Sequence, residues 1–113
     1  MEIHEKIKLN GLEVDCEVDT GTVYMVLTPD IIKKAGLKPV KKIKASFAGE
    51  YERDVNLYVE SIQLNGCKLP PIMIVEGRQN LLGHQVLQMT GAIIDEEKGK
   101  VIHRVCPSPV PRI

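Results

Sequence analysis

Five residues, Ile7-Lys8-Leu9-Asn10-Gly11, recur with one substitution as Ile62-Gln63-Leu64-Asn65-Gly66. Asn-Gly between alternating apolar and polar residues is a two-residue hairpin signal, because both residues tolerate positive φ. In the first copy Ile3, Ile7 and Leu9 share one parity, and His4, Lys6 and Lys8 the other. The return strand alternates as well: Leu12, Val14, Cys16 and Val18 against Glu13, Asp15 and Glu17. Each copy is followed by an apolar strand, a glycine-containing turn and a short helical pattern. One hairpin used twice, with the later elements in the same order, predicts a small β-rich domain with an internal pseudo-twofold.

The rest of the chain fills in that plan. Residues 24–27 are apolar and read as a strand. Thr28-Pro29-Asp30 is a helix start, with Thr as N-cap, Pro in the first position and an acid in the first turn. Ile31, Ile32 and Ala35 give that helix an apolar face, and Gly36 and Pro39 end it. Ile43, Ala45 and Phe47 then alternate with Lys42, Lys44 and Ser46, and Ala48-Gly49-Glu50 turns the chain. Val55, Leu57 and Val59 fall on odd positions but Ile62 and Leu64 on even ones, which predicts a bulge or kink. Pro70-Pro71 interrupts the strand that leaves the Asn65-Gly66 turn, which places that strand at an edge, and 72–75 is apolar enough to be buried. Leu81-Leu82-Gly83 leads into a second short helix through Val86, Leu87 and Met89. A strand at 92–94, a turn at 96–100 and a returning strand at 101–105 complete the domain, 1–106. Residues 107–113 are a Pro-rich tail that no regular central strand would tolerate.

Composition narrows the function classes. The chain has 113 residues, 43% hydrophobic and 27% charged, which suits one globular core. Fifteen basic residues balance fifteen acidic ones, without the basic excess of a nucleic-acid binder. Lys41, Lys42 and Lys44 form the densest basic cluster, and Glu50 and Glu52 follow it, so a solvated strand face is the reading. No apolar run approaches the ~20 residues of a membrane span, and MEIHEKIKL contains no signal-peptide core. Neither nucleic acid nor membrane is expected as a partner. Cys16, Cys67 and Cys106 are far apart, with no C-x-x-C pair, which predicts neither a disulfide framework nor a zinc site and suggests a reducing cytoplasm. His4, His84 and His103 are equally scattered, so no metal and no cofactor is assigned.

The chemistry-bearing stretch is Asp19-Thr20-Gly21-Thr22. An Asp-Thr-Gly alone is at home in any turn. Here it ends an alternating strand, an apolar run and a helix follow it, and Leu81-Leu82-Gly83, a helix and Ile93-Ile94-Asp95 come later. This order resembles the retropepsin-like aspartic proteases over residues 3 to 105, with the small single-domain prokaryotic members nearest. The resemblance implies a mainly β fold with two short helices, a closed retropepsin-like barrel with one lobe per chain. It implies that Asp19 is the catalytic acid, that the Thr20 hydroxyl braces a partner subunit's loop, and that Gly21 lets backbone approach the carboxylate. Thr22 stands where a hydroxyl could hydrogen-bond that carboxylate. Leu82 and Gly83 belong to the element packed under the loop. Phe47, Ala48, Gly49 and Tyr51 fall on the substrate-covering flap.

Two departures from the retroviral pattern are visible. His84 and Gln85 follow the glycine where Arg and then Asp or Asn are usual, and CPSPVPRI contains no evident dimer-sheet strand. Hydrolysis by this chemistry takes two carboxyl groups sharing one water. The chain has a single Asp-Thr-Gly, so the resemblance implies a homodimer with Asp19 from each copy on a twofold axis, acting on peptide substrates. The alternatives are a non-proteolytic dimeric peptide-binding or regulatory module on the same fold, and a structural β-domain with a chance Asp-Thr-Gly turn. Glu13, Asp15 and Glu17 read as a solvated strand face, Asp95 as a strand-end residue and His84 as a helix-start residue.

Overall fold

The computed structural model describes residues 2–46 and 52–107. In chain order the elements are β1 (His4–Leu9), β2 (Leu12–Val18), β3 (Met25–Leu27), α1 (Pro29–Lys34), β4 (Lys41–Ser46), β5 (Glu52–Glu60) and β6 (Gln63–Leu64). They continue with β7 (Cys67–Lys68), β8 (Ile72–Glu76), β9 (Leu81–Leu82), α2 (His84–Met89), β10 (Ile93–Asp95) and β11 (Lys100–Ile102). The described residues are thus mostly β with two short helices.

Both Asn-Gly turns form. Asn10 and Gly11 take φ 49 and 81, Asn65 and Gly66 φ 51 and 76. Positive φ at both central residues gives a turn whose twist matches the strands it joins. The first turn fixes the β1–β2 register from His4↔Glu17 to Leu9↔Leu12. The two repeats also meet: β1 pairs antiparallel with β6, Ile7 opposite Leu64. α1 begins at Thr28 with Pro29 in its first turn and Lys33 and Lys34 in its last. Gly36, at φ 69, lets the Gly36 and Leu37 amides turn back onto the Lys33 and Ile32 carbonyls.

Nine strands form one sheet in the order β4-β5-β8-β3-β9-β2-β1-β6-β7, and β10 and β11 form a separate pair. Among the described residues β4 and β7 are unjoined edges. β3 lies centrally, between β8 (parallel) and β9 (antiparallel), and is buried on both faces. That accounts for its being continuously apolar rather than alternating. The main core gathers Ile7, Leu9, Val14, Cys16, Met25, Leu27, Leu64, Ile74, Leu82 and Val86. Each large aliphatic side chain buried there stabilises the fold by about 1.5–3 kcal/mol. Val26, Val55, Leu57 and Val75 form a second, smaller cluster on the other face of β3 and β8.

Three expectations need correction. The parity change after Val59 is not a bulge: β5 ends at Glu60, and a new strand, β6, starts at Gln63. The strand leaving the second Asn-Gly turn is at an edge as expected, but the double proline does more than interrupt it. It separates β7, which is the edge, from β8, which pairs with both β5 and β3. Within β8, Ile72, Ile74 and Val75 are buried as expected, but Met73 is exposed. Finally, Cys67 and Cys106 form a disulfide, with Cα atoms 5.8 Å apart. Their distance in sequence concealed this, because only the folded chain brings the edge hairpin beside the segment after β11. Cys16 is the remaining thiol and is buried. With this pairing the cysteines no longer point to a reducing cytoplasm. No helix among the described residues is long and apolar enough to cross a membrane.

Candidate active site

β2 delivers Asp19 and β9 supports it. The two strands run parallel with Val18 opposite Leu82, and the Asp19 amide donates to the Leu82 carbonyl at 3.0 Å. On the other side of β2, the Val18 amide donates to the Ile3 carbonyl at 2.7 Å. The aspartate therefore stands at the end of a strand held on both flanks.

The turn then folds around the carboxylate. The Gly21 amide donates to Oδ1 at 2.9 Å, and the Thr22 hydroxyl donates to Oδ2 at 2.9 Å. The Thr22 amide closes the turn onto the Asp19 carbonyl at 3.3 Å. A Cβ on residue 21 would lie 3.3 Å from Oδ1, so a side chain there would crowd the oxygen that the amide serves. Each carboxylate oxygen can accept two hydrogen bonds. One from each is given by the turn itself, which orients the group and leaves capacity for water or a facing group. Asp19 and Thr22 are half-buried, whereas Thr20, Gly21 and Val23 are exposed. The loop thus presents Thr20 and Val23 outward beside the acid.

Gly83 is where the loop and α2 meet. A Cβ there would sit 2.2 Å from the Tyr24 carbonyl oxygen and 2.7 Å from that of Thr22. Only a hydrogen allows the approach. Immediately after it, the His84 amide donates to Thr22 O at 2.6 Å and the Gln85 amide to Val23 O at 3.0 Å. The first amides of a helix have no partner within the helix, and here they anchor the loop carrying Asp19. Leu82 is wholly buried beneath.

The sequence-predicted residues Asp19, Thr20, Gly21, Thr22, Leu82 and Gly83 are therefore gathered in one place. Phe47, Ala48, Gly49 and Tyr51 lie outside the described residues. His84 is exposed, and the Gln85 side chain accepts the Met73 amide at 3.3 Å. Cys16 is close in sequence but contributes no nucleophile: burial, reinforced by the nearby charge of Asp15, pushes its thiol up to about 12. No cluster of metal-ligating side chains occurs among the described residues.

A strand-borne Asp-Thr-Gly turn, seated on a Leu-Leu-Gly element and its helix, is the arrangement against which known proteins can be compared. A family model described as gag-polyprotein putative aspartyl protease matches residues 6–89. The chain belongs to this family. The matched span includes both Asn-Gly hairpins, the Asp19 loop and α2. Among solved structures, a retropepsin-like aspartic protease from Rickettsia conorii superposes with a TM-score of 0.72 at 20% identity, covering 84% of this chain and 77% of that one. The retroviral protease-like domain of Ddi1 from Leishmania major gives a TM-score of 0.67 at 13% identity, covering 91% and 88%. At these identities the two structures establish the shared fold. No curated protein matches the sequence.

Proposed function

We propose that the chain is an aspartic endopeptidase working as a homodimer, with the Asp19 carboxyl groups of two copies sharing one water. The observation that carries this reading is the Asp19 carboxylate held by Gly21 and Thr22 on a loop locked to Gly83, in a chain of the aspartyl protease family. In such a pair one carboxylate takes a proton from the water as it attacks the scissile carbonyl, and the other carboxyl donates to the carbonyl oxygen. Carboxyl groups about 3 Å apart do not both ionise readily, so the pair holds one proton between them. The Gly21 and Thr22 donors fix the orientation of each carboxylate and leave each oxygen one further acceptor site for the shared water or the facing carboxyl.

Dimerisation is supported by apolar surface exposed among the described residues. Among the described residues β10 and β11 are paired only with each other, and Ile93 and Ile102, opposite one another, are 46% and 45% exposed. A lone two-stranded ribbon with apolar residues outward gains from a further layer. The substrate would be an extended peptide lying across the dyad and pairing with the flap. The domain is taken as 1–106, and the meeting of the two Asn-Gly repeats through β1 and β6 supports the internal pseudo-twofold. The second reading, a dimeric peptide-binding module, draws on His84 and Gln85 standing in place of the usual Arg pair.

The test is cleavage of a mixed peptide library between pH 4 and 7, with Asp19→Asn as a nearly isosteric control and light scattering for mass. Cleavage by the wild-type dimer and none by Asp19→Asn supports the reading. A folded wild type that cleaves nothing, or a variant that cleaves equally well, overturns it.

A further inference from the structure

β1 carries an anomaly. Ile3, Ile7 and Leu9 turn inward and are buried; Glu5 has the same parity, and its side chain is only 13% exposed. Its partner comes from the opposite end of the chain. His103 Nε2 lies 2.9 Å from Glu5 Oε1, and the His103 side chain is 8% exposed. The other ring nitrogen, Nδ1, lies 2.7 Å from the hydroxyl of Thr90, a residue only 1% exposed. A carboxylate only accepts, so Nε2 is the donor to Glu5, and on a neutral ring Nδ1 accepts from Thr90. The Thr90 hydroxyl is also 3.3 Å from the Leu87 carbonyl and 3.4 Å from that of Val86.

Thr90 is the C-cap of α2. Its carbonyl accepts the amides of Arg104 at 2.9 Å and Val105 at 3.0 Å, and Arg104 Nε donates to the next carbonyl, Gly91, at 2.6 Å. The end of α2 is therefore fastened to the segment after β11, and through His103 to β1. The start of α2 is fastened to the Asp19 loop. A closed circuit results: β1 to β2, β2 to Asp19, the loop to α2, α2 to Thr90, Thr90 to His103, and His103 back to Glu5.

We propose that His103 is a positioning residue: by bridging Thr90 to Glu5 it fixes α2 against β1 and β2, and so sets where the Asp19 loop stands. A buried ionic or polar pair adds little net stability over well-packed apolar residues of the same volume. What it adds is direction, because its hydrogen bonds are satisfied in one arrangement only. α2 is only six residues long, about 9 Å, so a tilt at its C-terminal end reaches the Thr22 and Val23 carbonyls at its start nearly undiminished. The proposal rests on the reading of Asp19 as the catalytic acid.

The test is Thr90→Val, which keeps the shape and removes the hydroxyl, beside Thr90→Ser, which restores it. Hydrogen exchange is read at the His84 and Gln85 amides, with the β4 and β5 amides as the reference for global stability. For Thr90→Val, exchange at His84 and Gln85 rises about tenfold relative to β4 and β5. Against the library's best peptide, kcat falls about tenfold while KM stays. Thr90→Ser restores both. Should Thr90→Val not fold, Glu5→Met removes the other anchor and is expected to give the same pattern. Exchange that is unchanged at His84 and Gln85, or that rises equally everywhere, overturns the proposal. So does raised exchange with kcat intact in an active enzyme. If the wild type cleaves no peptide, the peptidase reading falls, and the exchange pattern alone upholds or overturns the bridge.

Discussion

Replacing Gly83 by alanine tests the seat of the Asp19 loop more sharply than replacing the acid does. The new Cβ would start 2.2 Å from Tyr24 O and 2.7 Å from Thr22 O. Both neighbours are backbone, so no rotamer change relieves the clash. The two backbone segments would have to separate by about 1 Å to reach ordinary van der Waals contact. That separation is set against bonds made at the same point: His84 N to Thr22 O, Gln85 N to Val23 O and Asp19 N to Leu82 O, at 2.6, 3.0 and 3.0 Å. Loss of a typical bond costs roughly 0.5–1.5 kcal/mol, and a buried group left unpaired roughly 1–3 kcal/mol. Gly83 has φ −87 and ψ −179, ordinary extended backbone, so alanine meets no dihedral strain and recovers about 0.4–1 kcal/mol by restricting the unfolded chain. The net expectation is a loss of about 2–4 kcal/mol. Urea denaturation measures it directly, and peptide cleavage should fall about a hundredfold if Asp19 moves with its loop by about 1 Å. A variant within about 0.5 kcal/mol of wild type, the ordinary range for surface changes, would refute the claim that close approach at Gly83 positions the loop.

The disulfide closes a separation of 39 residues, which in the chain-entropy account is worth roughly 4 kcal/mol. Cys67→Ser, or a thiol reductant on the wild type, is expected to lower Tm by about 15 °C, and equal melting with and without reductant would count against it. The Cys16 thiol, pushed by burial up to about 12 from its usual 9.0, should resist iodoacetamide at pH 8 in the native state and react once the chain is unfolded in guanidinium. Because its folded value lies above the unfolded one, its contribution to stability is complete below pH 9.0 and declines as pH rises toward 12. A flat stability curve over that window would contradict it.

Local chemistry made much of this fold legible. Asn10-Gly11 and Asn65-Gly66 specify their hairpins through dihedral angles that few other pairs accept, and Thr28-Pro29 specifies where α1 begins. Asp19, Gly21, Thr22 and Gly83 could be picked out because the motif is contiguous on each side, and the parallel β2–β9 pairing joins the two halves. What stayed hidden depends on contacts between distant segments, which periodicity does not encode. The inward parity of Glu5 was the single sign of a partner, but nothing in its neighbourhood names His103, 98 residues away. The pairing of Cys67 with Cys106 is of the same kind. Both of these contacts, and the bonds of Arg104 and Val105 to Thr90, end on residues 103–106. The sequence pattern reads as strand through residue 105, yet β11 ends at Ile102, so residues 103–106 are not held by that pattern. They are held by the His103–Glu5 hydrogen bond, a disulfide and two backbone bonds to other elements, so their order is a property of the assembled domain. The part of the chain least readable in sequence is thus the part that closes the circuit around Asp19.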